Sequence, residues 1–304
     1  MRRPVFYPLP GNEAMAALLR ERLDGEEGQL ETRRFPDGES YVRFATDPRG
    51  RDVVLVCTLD RPDEKFLRLA FAAGAARDLG ASSVGLVAPY LCYLRQDTRF
   101  KPGEAVTSVT FARLLSSQID WLVTADPHLH RYSSLGEVYG VPARSVHAAP
   151  LVSRWIGGNV EKPLLIGPDV ESEQWVAEVA AAIDAPYRVL DKTRHGDRDV
   201  EIDLPDLREN GHGRTAVLVD DIVSSARTMT VTARLLAAQG LPRPVAIAVH
   251  GLFADGAWEV LSLHAARVVT TNSVPHPSNG IDISGVLAET VRELLTPAPA
   301  GAEG

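Results

Sequence analysis

Val217-Leu218-Val219-Asp220-Asp221-Ile222-Val223-Ser224-Ser225-Ala226-Arg227-Thr228 decides how the rest of the chain is read. Its opening apolar run suits the buried centre of a parallel sheet, where a crossover helix follows each strand. The run ends on two carboxylates and a hydroxyl-rich turn, and Thr228 to Ala238 carries a helical pattern. A turn from a strand's carboxyl end to a helix's amino end presents unbonded backbone N–H groups and the positive end of the helix dipole, both suited to a phosphate. Carboxylates beside a phosphate make sense if they hold sugar hydroxyls or a divalent cation. The segment reads as a sugar-phosphate site, with a helix-capping Asp as the plainer alternative.

Working outward, strand-like runs alternate with helical ones. Asp52 to Leu59 precedes Lys65 to Leu79, Ser83 to Leu91 precedes Val109 to Ser117, and Trp121 to Ala125 precedes a loop. The second half repeats the theme with Pro163 to Gly167 then Glu171 to Ile183, Arg214 to Asp220 then Thr228 to Ala238, and Pro244 to His250 then Ala254 to Leu263. This is α/β alternation, and its repetition gives two tandem doubly wound domains with mainly parallel sheets, at 1–147 and 148–295. Ligands are expected at the carboxyl ends of strands. The tail 296–304 has nothing to bury and reads as disordered.

Composition narrows the function classes. With 304 residues, 45% hydrophobic and 24% charged, the chain is ordinary for a soluble protein. No run approaches the ~20 apolar residues of a membrane span. The amino end lacks the apolar core of a secretion signal, so a cytoplasmic location is expected. Cys57 and Cys92 lie in apolar runs and read as core packing, not as a disulfide framework. A net charge of −8 argues against a surface that coats nucleic acid.

Further clusters lie at predicted strand ends or in adjoining loops. Phe35-Pro36-Asp37-Gly38-Glu39 offers an aromatic face for a base and acids that accept from an exocyclic amine; Asp-Gly in a hairpin turn is the plainer reading. Arg95, Arg99 and Lys101 in Tyr93-Leu94-Arg95-Gln96-Asp97-Thr98-Arg99-Phe100-Lys101 could neutralise phosphates. Asp126-Pro127-His128-Leu129-His130 delivers an acid and two imidazoles at alternate positions, a candidate metal contact. Gly167-Pro168-Asp169 ends another strand, and Lys192 and Arg194 project from one face of a later one, beside a Gly-containing loop that could close over a phosphoryl group. Gly211-His212-Gly213-Arg214-Thr215-Ala216 matches a dinucleotide fingerprint in letters but precedes its strand, so it is set aside.

In order and spacing these motifs resemble the ribose-phosphate pyrophosphokinase family from Val5 to about Leu295. Phe35 to Glu39 is similar to its adenine-binding segment, Tyr93 to Asp97 to its ATP-phosphate segment, and Asp126-Pro127-His128 to its metal site. Gly167 to Asp169 resembles its pyrophosphate loop, Lys192-Thr193-Arg194 its catalytic Lys-x-Arg, and Val219-Asp220-Asp221 its ribose-phosphate loop. The resemblance implies domains of phosphoribosyltransferase-like type, ATP and ribose 5-phosphate as substrates, Mg2+ as cofactor and a homo-oligomer of two or more copies. It further implies that Lys192 and Arg194 are catalytic and that Phe35, Asp37, Glu39, Arg95, Gln96 and Asp97 bind ATP. Asp220, Asp221, Ser224, Ser225 and Thr228 would bind the ribose phosphate, and His128 and Asp169 would touch the metal.

The chain departs from the family at its phosphate loop, where Ser224-Ser225-Ala226-Arg227-Thr228 replaces the usual Asp-Thr-Gly-Gly-Thr. Without glycine the turn is expected to be changed or strained. Three rivals stand beside the diphosphokinase. One is a non-catalytic phosphoribosyl- or nucleotide-binding regulator, and another a phosphoribosyltransferase, which needs only one such domain. The third is a metal-dependent hydrolase built on His128 and His130, which requires a barrel.

Overall fold

The computed structural model describes residues 3–168, 172–194, 200–203 and 213–295, with backbone alone for 191–194 and 200–203. It divides into two compact units, Met1–His147 with Ile283–Gly304, and Ala148–Asp282.

In the first unit β1 (Val5–Pro8), β2 (Glu26–Glu27), β5 (Asp52–Val56), β6 (Ser83–Ala88), β7 (Trp121–Ala125) and β8 (Ala143–Val146) form one sheet in the order β2-β1-β5-β6-β7-β8. Every adjacent pair is parallel. Helices α1 (Glu13–Arg22), α2 (Pro62–Asp78) and α3 (Thr107–Ser116) are the crossovers, and β3 (Leu30–Arg34) with β4 (Ser40–Phe44) is an antiparallel hairpin outside the sheet. Strands covered on both faces read as near-continuous apolar runs. Val53, Val54, Leu55 and Val56 are accordingly fully enclosed. Cys57 continues the run as a free thiol whose pKa burial pushes up to about 12, and Cys92 is likewise buried and free.

The second unit repeats this plan. Its sheet runs β10 (Tyr187–Val189), β9 (Pro163–Gly167), β13 (Thr215–Val223), β14 (Val245–Gly251), β15 (Arg267–Thr271), β16 (Asn279–Ile281), again wholly parallel. The crossovers are α5 (Glu173–Ala181), α6 (Arg227–Ala238) and α7 (Ala257–His264), and β11 (Asp191–Arg194) pairs antiparallel with β12 (Val200–Asp203) where β3 and β4 stand in the first unit. On α6 the buried residues Met229, Ala233 and Leu236 recur at helical spacing and face a core that includes Leu218, Ala246 and Ala248. The α/β expectation and the repeat are what the chain forms. The barrel required by the hydrolase reading is not.

One helix crosses between the units. α4 (Ala149–Asn159) follows the first sheet in sequence but packs on α5 and β16 of the second unit. α8 (Ser284–Leu295) follows the second sheet but packs on α1, β7 and β8 of the first. There Leu287, Ala288 and Val291 are buried, Arg22 donates to Ser284 at 2.9 Å, and Arg292 donates to the Arg22 carbonyl at 2.9 Å. The sequence expectation ran the second domain unbroken from 148 to 295, because linear alternation carries no signal for such a return. The tail 296–304, read from sequence as disordered, lies outside the described residues.

Close packing makes Gly85, in the centre of β6, a sensitive position: a Cβ there would meet the Trp121 indole at 1.9 Å. Gly85→Ala is expected to destabilise the first unit by about 1–3 kcal/mol, read as a lower urea midpoint; an unchanged midpoint would contradict the packing described.

Candidate functional site

In the second unit the site is built on the connection from β13 to α6. The strand was expected to stop at Asp220 and Asp221, but it continues to Val223, pairing Ile222 with His250 and Val223 with Gly251. Ile222 and Val223 are buried, and burial of these β-branched side chains carries the strand past the acids. Both carboxylates are half-buried, and that of Asp220 accepts the Asp221 backbone N–H at 2.9 Å. The turn itself is Ser224, Ser225 and Ala226. The Ser224 carbonyl accepts the Ala254 N–H at 3.0 Å, which ties the turn to the loop after β14.

Ala226 takes φ 54°, the left-handed region that the absent glycine would occupy freely. Helix α6 starts at Arg227 with no side chain capping its amino end. Its first N–H groups remain suited to an anion. Ser225, Arg227, Thr228, Arg234 and Asp255 help line a cavity of about 380 Å3 beside this turn. His250, the remaining strand-end histidine, is buried with Nδ1 2.9 Å from Ser273 Oγ, in the core.

In the first unit Phe35 to Glu39 is the tip of the β3–β4 hairpin. The Phe35 N–H donates to the Glu39 carbonyl at 2.8 Å, the Asp37 carboxylate accepts the Glu39 N–H at 3.1 Å, and Gly38 takes φ 96°. The turn reading therefore holds, and the tip still offers a surface. The Phe35 ring is 39% exposed, packs edge-on against Tyr41 at 6.0 Å, and lies 4.6 Å from the Arg33 guanidinium.

The loop after β6 carries Tyr93 at φ 57°, its hydroxyl donating to Asp63; that bond, with burial, pushes the phenol up to about 12. Arg95 is exposed and Gln96 half-buried. Glu104 closes the following segment, accepting the Phe100 N–H at 2.8 Å and the Lys101 N–H at 3.0 Å, while its carbonyl takes Arg99 at 3.0 Å.

Asp97 is buried, unlike Arg95 beside it. Its carboxylate is enclosed and accepts the Arg131 guanidinium at 2.8 Å. The loop after β7 brings the other partners. Asp126, at φ 32°, faces His147 Nδ1 at 3.2 Å, and the His128 and His130 rings meet edge-on, centroids 3.9 Å apart, with their Nε2 atoms in contact.

Lys192 and Arg194 alternate along β11, opposite Ile202 and Val200. Gly167 ends β9 against the start of α5; Asp169 and the Gly196 loop lie outside the described residues.

A family model for the N-terminal domain of ribose phosphate pyrophosphokinase matches residues 6–118, and one for the phosphoribosyl transferase domain matches residues 136–283. A ribose-phosphate pyrophosphokinase of Methanopyrus kandleri is 35% identical, covering 91% of this chain and 94% of that protein. The chain belongs to the ribose-phosphate pyrophosphokinase family. Another relative of that name, from Sulfolobus acidocaldarius, is 31% identical over 93% of this chain and 96% of its own length. Phosphoribosylpyrophosphate synthetase from Mycobacterium smegmatis shares the fold, with a TM-score of 0.84 over 97% of this chain and 99% of that one at 23% identity.

Arg131, Tyr132 and His147 were not singled out from sequence, because their partners Asp97 and Asp126 are distant in the chain and only folding joins them. Among the described residues no three His, Cys, Asp or Glu side chains converge on one point. A magnesium ion needs no such cluster when substrate phosphates and water supply most of its ligands, with one or two carboxylates completing them. The half-buried Asp220 and Asp221 carboxylates are donors of that kind.

The strain at Ala226 has a measurable consequence. A left-handed L-residue costs about 1–2 kcal/mol, while glycine's extra chain entropy costs about 0.5–1 kcal/mol. Ala226→Gly is therefore expected to leave the second unit as stable or up to about 1 kcal/mol more stable, by urea denaturation; a clear loss would show that the turn does not strain this residue.

Proposed function

We propose that this protein is a ribose-phosphate diphosphokinase, transferring the diphosphoryl group of ATP to the C1 hydroxyl of ribose 5-phosphate. The observation that carries the reading is the Asp220-Asp221 pair leading into an uncapped helix amino end at Arg227, on a chain of this family. The C1 oxygen forms a bond to the β-phosphorus, the bond from that phosphorus to the α,β-bridging oxygen breaks, and the hydroxyl proton is lost to solvent. The products are AMP and 5-phosphoribosyl 1-pyrophosphate.

Asp220 and Asp221 would accept hydrogen bonds from the ribose hydroxyls, fixing C1 toward the donor. Ser224, Ser225 and Thr228, with the first N–H groups of α6, would hold the 5-phosphate. Arg227 adds a guanidinium at the same helix end and supports the reading in spite of the missing glycines. On the nucleotide side Phe35 would stack on the adenine, and Asp37 or Glu39 would accept from its amine. Arg95 and Gln96 would meet the phosphates. Magnesium, when bound, neutralises phosphate charge and polarises the transferring group; His128 and Asp169 would hold it or its water, with Asp220 and Asp221 as further oxygen donors. Lys192 and Arg194 would stabilise charge on the diphosphoryl group as it transfers, which is positioning and electrostatic work. A homo-oligomer of at least two copies accompanies this reading by family resemblance.

Lys192→Ala is expected to lower kcat by roughly 10²–10³-fold with ATP affinity nearly unchanged, in an AMP-release assay paired with calorimetry. An equal loss in ATP binding would remove Lys192 from the chemistry. Asp221→Ala should weaken ribose 5-phosphate binding by roughly 10–100-fold, the worth of a hydrogen bond to a charged group. A selective ATP defect would overturn that assignment.

A further inference from the structure

Asp97 sits in the segment expected to bind ATP, yet its side chain is only 2% exposed. One carboxylate oxygen takes the Arg131 guanidinium at 2.8 Å; the other is enclosed with no hydrogen-bond partner among the described residues. A carboxylate enclosed in this way does not face a nucleotide arriving from solvent.

The surroundings extend the contact. Arg131 lies three residues beyond His128, on the loop after β7, whereas Asp97 lies on the loop after β6. The Phe100 ring faces the Arg131 guanidinium at 5.4 Å, so the two loops also meet through a cation–π contact. The Tyr132 hydroxyl donates to the Asp97 carbonyl at 3.4 Å and lies 3.1 Å from Ser108 Oγ. Ser108 in turn donates its backbone N–H to the Gln96 carbonyl at 3.3 Å, which anchors the segment carrying Arg95 and Gln96 to the start of α3.

We infer that Asp97 and Arg131 form a clasp that joins the nucleotide-side loop to the loop carrying His128, and that both are positioning residues for the reaction, not nucleotide ligands. The pair fixes where the His128 imidazole sits relative to Arg95 and Gln96. It does so through a planar guanidinium, which a lysine cannot reproduce in shape although it keeps the charge. The inference rests on the diphosphokinase reading for its kinetic consequences, but its structural content does not.

The test uses the full chain with Asp97→Asn, Arg131→Ala and Arg131→Lys. Hydrogen exchange followed by mass spectrometry compares peptides covering residues 95–105 and 126–134 in each protein. Both loops are expected to exchange at least about tenfold faster in Asp97→Asn and Arg131→Ala, with β5 and β6 unchanged. In the AMP-release assay the half-saturating magnesium concentration is expected to rise about 10–100-fold, the scale seen when supports of a metal ligand are removed. The dissociation constant for ATP by calorimetry should stay within about twofold. Arg131→Lys should fall between wild type and Arg131→Ala.

A tenfold loss of ATP affinity confined to Asp97→Asn, with both loops exchanging as in wild type, would overturn the clasp and make Asp97 a nucleotide ligand. If the wild-type chain releases no AMP, the diphosphokinase reading fails while the exchange comparison still decides the clasp. If the enzyme is active and every variant exchanges alike, the clasp alone fails. Arg131 is half-exposed, so its variants carry the test should Asp97→Asn not fold.

Discussion

Parallel pairing is the constraint on which this protein depends. Strands that run the same way all stop at the same edge, and their covered faces favour apolar side chains along their length. Chemistry is thereby driven to the carboxyl ends. In the first unit Val53 to Val56 and Leu122 to Val123 are enclosed, and Thr58 and Asp126 lie where those strands finish. In the second unit Val217 to Val219 are enclosed and Asp220 is the first partly exposed side chain. A sheet of this kind supplies positions for ligands before any particular ligand has been specified.

The repeat shows how one plan supports two roles. Each unit has the same strand order, the same outlying hairpin and the same crossovers. They differ in what the loops carry. The first unit's hairpin ends in the Phe35 tip, while the second unit's hairpin carries Lys192 and Arg194 on one strand. The place of α8 means that the first unit is completed by a helix that follows the second sheet in sequence. A first half cut near residue 147 would lack α8, a helix its own sheet packs against.

Much of this was legible in the sequence, and the residues show why. β7 and β9 fall where their apolar runs predict, because a doubly covered strand writes its whole length in hydrophobic letters. Asp220 and Asp221 were visible as acids ending such a run, and the loss of glycine at Ala226 foretold the strained turn that φ 54° displays. What stayed hidden depends on pairing between distant segments. β13 extends past its acids because β14 offers Gly251 and His250 as partners, a fact absent from the local pattern. Asp97 was placed at the nucleotide by the resemblance of Tyr93 to Asp97 to the family's ATP-phosphate segment, and its partner Arg131, on another loop, was not visible. The place of α8 was equally invisible, since its amphipathic face specifies burial but not against which sheet.

Transfer of a diphosphoryl group as a unit to C1 of a ribose phosphate is what phosphorus NMR of the wild-type protein with ATP, magnesium and ribose 5-phosphate tests most directly. AMP is expected in equal amount with a product carrying a coupled diphosphate pair on C1 and an unchanged 5-phosphate. ADP accompanied by a ribose bisphosphate, showing transfer of a single phosphoryl group, would contradict it.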